Sequence, residues 1–223
     1  MRTDNPEQIP PIEGLRFFEA LHRYCLNGQL MGHSVSKVAS PEPYNGPPEA
    51  GPRGTAVHLC AKDWMLAGQP ADFKAPDLEF EGTKLQAWVD QFKANEWLTN
   101  LAPRAVEYQM AIPEKSIGGS FDLLARRTNS GRNTGQTVLI DYKSKSPKWE
   151  RPASSDAHKH KVQLGGYLWM FGRLWPCVHI DKCWIVYLTP HKAPEVVFYE
   201  PYDCLTSWET ASHFYFKENP KPN

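Results

Sequence analysis

VLIDYKSK, residues 138–145, sets three aliphatic residues against alternating charges. Val138, Leu139 and Ile140 gain by leaving water, each by about 1.5–3 kcal/mol when fully buried. Asp141 and Lys143 lose by the same move unless they are paired or bound. As a strand the run alternates sides, so Asp141, Lys143 and Lys145 share one face and Tyr142 points the other way. The segment is therefore either a solvated strand end or a strand that carries a site.

The neighbouring sequence supplies partners for this strand. Ala105–Ile112 and Ser116–Arg126 read as two strands ahead of Gln136–Lys143, and the turn-rich run RTNSGRNTGQ (127–136) joins the last two as a hairpin connection. After the loop SKSPKWERPASSD (144–156) the spacing predicts a helix over 157–173, with Val162, Leu164, Tyr167, Leu168 and Phe171 available for burial. Lys182–Thr189 and Glu195–Tyr199 read as two more strands, and 203–216 as a closing helix. Toward the N-terminus, Leu15, Phe18, Leu21 and Cys25 recur at helical spacing within 13–26. Residues 40–53 form a proline- and glycine-rich loop. A helix is predicted over 55–67 from Val57, Cys60, Ala61 and Trp64, and 69–82 reads as loop. A further helix is predicted over 83–101 from Leu85, Trp88, Val89, Phe92 and Trp97. Helices, three strands, a helix, two strands and a helix predict an α/β domain with a mixed sheet, occupying 1–223 as one unit.

Composition narrows the class without naming a partner. Twenty-five basic residues balance 25 acidic ones, so net charge argues neither for nor against an anionic ligand, although a local basic patch remains open. The five cysteines, at positions 25, 60, 177, 183 and 204, are odd in number and contain no C-x-x-C pair. That argues against a disulfide framework or a zinc ribbon and suits free buried thiols. The polar, proline-containing start has no apolar signal core, and no stretch has the length of a membrane span. A soluble cytoplasmic protein is expected.

Four features along the chain combine into one chemistry. GTAVH (54–58) puts His58 in the early turns of a helix. VEYQMAIPEKSIGGSFDLLA places Glu107 on one strand and Asp122 on the next, after Gly118-Gly119. DYK carries Asp141 and Lys143. QLGGY (163–167) sets Gln163 and Tyr167 four apart, on one helix face. Asp122 and Asp141 on adjacent strands could hold a divalent metal, which takes oxygen ligands. Such a metal polarises a phosphate oxygen, stabilises the leaving oxygen and acidifies a water. Lys143 could place that water and offset charge that builds on the phosphate. A histidine such as His58 is a tolerable further ligand, better for Mn²⁺ than for Mg²⁺. The backbone carbonyl of Tyr142 could also coordinate.

GTAVH, GSFD (119–122), DYK and QLGGY, in that order, resemble the PD-(D/E)XK nuclease superfamily and, within it, the RecB-like exonuclease branch. LMGHSVSKVAS (30–40) also looks like the S-V-T strand that often opens these domains. A D-x-K triplet alone carries little; all four motifs in order, over roughly residues 30–190, carry much more. The resemblance implies a restriction-endonuclease-like core, a central mixed β-sheet flanked by helices, between a helical, proline-rich N-terminal extension and the closing helix. It implies His58, Asp122 and Asp141 as ligands of Mg²⁺ or Mn²⁺, and Lys143 as the catalytic lysine. Gln163 and Tyr167 would orient that lysine or touch the DNA backbone. Glu107 lies where relatives often have an acid, which serves a second metal or supports the first. Some relatives hold an iron–sulfur cluster with one cysteine ahead of the core and three behind it. Cys177 and Cys183 lack a third clustered partner, so no cluster is expected.

Each residue also has a plainer reading. His58 alone suits a satisfied helix histidine, Asp122 a structural salt bridge, Glu107 a surface acid and Tyr167 core. Gly118-Gly119 reads as a turn, a β-bulge or a close approach of DNA. Basic residues after the DYK strand (Lys145, Lys148, Arg151 and Lys161) could meet phosphates, and Trp149 could stack on an unpaired base; otherwise they form a solvated loop. Arg53 is a weaker phosphate contact. The reading is a stand-alone metal-dependent deoxyribonuclease, an exonuclease of recombination, repair or replication and of the phage type, with DNA ends or single strands as partner. Helices at 13–26 and 83–101 could build an arch that admits only an end. The alternatives are a structure-specific or restriction-like endonuclease of the same fold and a non-catalytic nucleic-acid-binding module.

Overall fold

A computed structural model describes residues 8–43, 46–129, 133–150 and 153–220. In chain order the strands are β1 (Leu15–Phe18), β2 (Arg23–Leu26), β3 (Gln29–Leu30), β4 (His33–Ser34), β5 (Glu79–Phe80), β6 (Thr83–Lys84), β7 (Leu101–Ile112), β8 (Ile117–Arg127), β9 (Thr137–Ser144), β10 (Lys182–Leu188) and β11 (Glu195–Tyr199). The helices are α1 (Val35–Ala39), α2 (Ala50–Leu66), α3 (Leu85–Ala94), α4 (Glu96–Thr99), α5 (Ser154–Leu174) and α6 (Pro201–Glu218).

VLIDYKSK lies in the middle of the main sheet, whose order is β11-β10-β9-β8-β4, with β7 also on β8. The sheet is mixed, as expected: β9 runs parallel to β10 and β4 parallel to β8, while the other pairs are antiparallel. Both faces are covered, so β10 is apolar at consecutive positions. Cys183, Ile185 and Tyr187 join one core with α1, α5 and α6, and Trp184, Val186 and Leu188 join a second core with α2 and α3. Gly165 on α5 permits the close packing of α6. A Cβ there would stand 2.0 Å from the Cys204 carbonyl oxygen.

Two irregularities of this sheet create the site. β8 and β9 are paired only from Leu123–Ile140 to Arg126–Thr137, and β4 takes the same edge of β8 at Ile117 and Gly118. The sheet therefore forks just beyond Leu123 and Ile140, and the next residue on each prong is an aspartate, Asp122 or Asp141. The second irregularity is a slip of side-chain alternation. Val106 and Leu123 face the second core, yet Tyr108 and Phe121 face the first. Regular pleating would keep residues two apart on one side. The slip falls on Glu107 and Asp122, and Glu107 takes a left-handed φ of 48°, which a non-glycine residue adopts only when its surroundings hold it there.

The N-terminal third differs from expectation. Residues 13–26 are a β-meander, not a helix. Leu15 and Phe17 alternate inward onto Tyr24, Met31 and Ala111, and Arg16 and Phe18 are exposed. Tertiary packing overrides an apolar spacing that suits either element. Asn27-Gly28, with φ of 50° and 85°, joins β2 to β3; this pair is a strong hairpin signal. The expected helix over 83–101 is split, because the Asn95 side chain accepts the Trp97 N–H and caps α4. An arch of two long helices at these positions is therefore not built. The expected opening strand at 30–40 shrinks to β4, and Ser34 then caps α1. Helix α2 starts at Ala50, inside the expected loop, with Pro52 in its first turn, where a missing N–H costs nothing. Pro103 falls inside β7 beside an irregularity of register. Gly118 and Gly119 are in β8 rather than a turn, and the Tyr24 ring covers Gly118.

Candidate active site

Asp122 is the centre of the fork. It is 6% exposed, and a carboxylate that deep must be satisfied on both oxygens. Its Oδ2 accepts the backbone N–H of Tyr142 across the fork at 2.5 Å, and its Oδ1 faces His58 Nδ1 at 3.2 Å. His58 stands half-buried on α2 with its ring edge-on to Tyr142, and its Nδ1 is 4.0 Å from Glu107 Oε1. Ligand atoms of His58, Glu107 and Asp122 all lie within 4.8 Å of one another, a spacing that one metal ion can bridge.

Asp141 occupies the other prong and is 2% exposed. Lys143 Nζ pairs with its Oδ2 at 2.5 Å. The Lys143 ammonium donates to Gln163 Oε1 at 2.8 Å, and Gln163 Nε2 donates to the Tyr167 hydroxyl at 2.7 Å. Gln163 and Tyr167 stand one turn apart on α5, which packs on the Asp141 face of β9, whereas Tyr142 faces the second core. The period-two reading of DYK and the i,i+4 reading of QLGGY meet in one relay.

Proton affinities reflect this crowding. Burial opposes a charged His58, but Asp122, by charge and hydrogen bond, together with Glu107 and Asp141, lifts its pKa to about 9. Burial and the charge of Asp122 push Glu107 up to about 8, against the pull of His58 and Lys62. Asp141 rises to about 6, through burial and Asp122, although Lys143 opposes this. Asp122 moves down: burial would raise it, but His58, Lys143 and the Tyr142 N–H prevail. Three acids thus share one corner with too little positive charge of their own. The His58, Glu107 and Asp122 ligand atoms, with the Asp141 carboxylate on the other prong, fit a hard divalent cation, with the histidine favouring Mn²⁺.

The basic residues divide. Lys145 lies beside the site. Trp149 is half-buried and stacked on Tyr187, with ring centroids 5.1 Å apart, instead of standing free for a base. Arg53 is buried and ion-paired with Glu81, so it is not the open phosphate contact expected of it. Lys148 is exposed and Lys161 half-exposed, and Arg151 lies outside the described residues. Cys60, Cys183 and Cys204 are buried, Cys25 is half-buried and Cys177 is exposed. No described helix is long and apolar enough to cross a membrane.

Sequence reading missed two contacts that hold the elements around the site. Trp88 Nε1 donates to the Lys145 carbonyl at 3.0 Å, and His160 Nδ1 meets the Tyr187 hydroxyl at 2.8 Å. Neither pair has a local signature, because 57 and 27 positions separate the partners.

Acids crowded at a strand fork beside a held ammonium suit the hydrolysis of phosphodiesters with a divalent metal. Comparison with known proteins agrees. The family model of the PD-(D/E)XK nuclease superfamily matches residues 33–203, and the chain belongs to that superfamily. Its α/β architecture, a mixed sheet between helices, is restriction-endonuclease-like. No curated protein matches the chain. Among solved structures, the crystal structure of SSO0001 is similar at 24% identity over 52% of each chain, with a TM-score of 0.32. The match spans about half of that chain.

Proposed function

We propose that the protein is a metal-dependent deoxyribonuclease of the RecB-like branch, an exonuclease that trims DNA ends in recombination, repair or replication. An intracellular, phage-type setting is part of the same reading. The observation that carries it is the Asp141–Lys143–Gln163–Tyr167 relay standing across the fork from His58, Glu107 and Asp122. The helix histidine and the glutamine–tyrosine pair go beyond the two acids and lysine of a minimal site, and both resemble the RecB-like pattern.

In this reading His58, Asp122 and Asp141 would hold Mg²⁺ or Mn²⁺, Glu107 would support them or serve a second ion, and the Tyr142 carbonyl would be a further oxygen ligand. The bound metal would supply Lewis-acid polarisation of the scissile phosphate and lower the pKa of the attacking water. Lys143 aims its ammonium at the reacting phosphate and offsets the charge that develops there. Gln163 holds that ammonium in place, and Tyr167 holds Gln163. His58 and the Tyr142 N–H fix Asp122.

End-labelled linear duplex, single-stranded and covalently closed circular DNA, incubated with Mg²⁺ or Mn²⁺, test the proposal against an Asp141→Ala control. Shortening of linear DNA that stops in EDTA and spares the circle is expected. Nicking of the circle would replace the exonuclease with an endonuclease of the same fold. Binding without cleavage of any substrate would leave a non-catalytic nucleic-acid-binding module.

A further inference from the structure

Lys145 is the charge that the catalytic reading does not use. It follows Lys143 by two positions, just past the end of β9 at Ser144, and an extended rise sets it about 6.6 Å further along the chain, a span of the order of one nucleotide step. Its backbone is fixed on both sides: its N–H donates to the Leu188 carbonyl at 2.8 Å, and its carbonyl accepts the Trp88 indole N–H at 3.0 Å. Its ammonium lies 5.8 Å from the Trp149 ring centre and 5.5 Å from that of Tyr187. The two rings are stacked on each other, and His160 holds the Tyr187 hydroxyl.

A half-buried ammonium usually has a carboxylate beside it. Lys145 makes no ion pair among the described residues. Burial lowers its pKa; Asp156 opposes that, and the nearby charges of Lys143 and Arg53 reinforce it. Two open cavities, of about 580 and 560 Å³, flank it, and Lys143, Lys145 and Asp156 line both. The first also contains Lys159, and the second runs to His58. A strand of nucleic acid carries one negative charge per nucleotide, and a chain lying through both cavities passes Lys143 and Lys145 in turn.

We infer that Lys145 forms a second phosphate subsite, one nucleotide along the substrate strand from the phosphate that Lys143 meets; this rests on the nuclease reading above. The aromatic pair fixes the ammonium, so the contact positions the strand without reading its sequence.

The test measures binding of a fluorescent single-stranded oligonucleotide across a range of KCl concentrations, in EDTA so that no cleavage occurs. Lys145→Met keeps the stem on the rings and removes the charge, and Lys145→Arg restores it. Loss of one phosphate contact lowers the slope of log affinity against log salt by about 0.7 for a single strand. The expected result is that loss in Lys145→Met, recovery in Lys145→Arg, and melting temperatures equal to that of wild type. A wild-type slope in Lys145→Met, or an equal loss in Lys145→Arg, would overturn the subsite and leave Lys145 as a packing residue. A wild-type protein that neither binds nor cleaves DNA would instead overturn the nuclease reading, and the subsite with it.

Discussion

Asp122 and Tyr142 lie 20 positions apart, yet a carboxylate oxygen of the first accepts the main-chain N–H of the second at 2.5 Å. This bond spans the fork where β8 and β9 part. It replaces the ladder pairing that ends one residue earlier and leaves the other Asp122 oxygen facing His58.

Asp122→Asn and Asp141→Asn should each reduce cleavage by at least about 10²–10³-fold, the usual cost of removing one preorganised electrostatic group from a catalytic site. Both variants should keep the wild-type circular dichroism spectrum. Cleavage of end-labelled DNA in Mg²⁺ and in Mn²⁺ measures the effect, and near-wild-type activity of Asp141→Asn would remove it from the metal site.

Gln163 accepts a hydrogen bond from the Lys143 ammonium, and under the proposed role its loss should appear in turnover and not in binding. Gln163→Leu is expected to lower kcat by about 10–100-fold, the scale of supporting partners around metal sites, with KM little changed. Tyr167→Phe should cost less, because Gln163 still reaches Lys143. If KM rises while kcat holds, Gln163 is a DNA contact and not a positioning residue.

Metal-free protein should lose stability as pH rises. Glu107 is carried up to about 8 and His58 up to about 9, so the folded state binds more protons than the unfolded chain across that window. The His58 contribution is complete below about 6.5, its ordinary value, and is lost as pH passes through 9; the Glu107 penalty grows from about 4.5 to 8. Metal binding displaces these protons. Mn²⁺ should therefore raise the melting temperature more at pH 8.5 than at pH 6. Equal increments at both pH values, measured by calorimetry, would contradict this coupling.

Gly165→Ala should destabilise the fold by about 3 kcal/mol or more, because the new methyl meets main chain that cannot move aside. Gly172 lies on the same helix with nothing within 4 Å of a Cβ, and Gly172→Ala should stabilise by about 0.4–1 kcal/mol. Urea unfolding of the two variants checks the contrast.

The sequence alone determined much of the core and the site. Alternation along β9 put Asp141 and Lys143 on one face, and helical spacing put Gln163 and Tyr167 on another, because these are short-range periodicities of the backbone. It failed at 13–26, where Leu15, Phe18, Leu21 and Cys25 satisfy a helical count but the chain folds as a meander, signalled only by Asn27-Gly28. It also left Trp149 and Arg53 open to DNA. Only tertiary structure decided that Trp149 packs on Tyr187 and Arg53 on Glu81, because those partners come from distant segments. The same holds for the fork. β8 and β9 part between Leu123 and Asp122, β4 takes the same edge of β8 further along, and Glu107 takes a left-handed φ on β7. These strands lie far apart in sequence, so no local pattern encodes the fork that brings the two buried aspartates together.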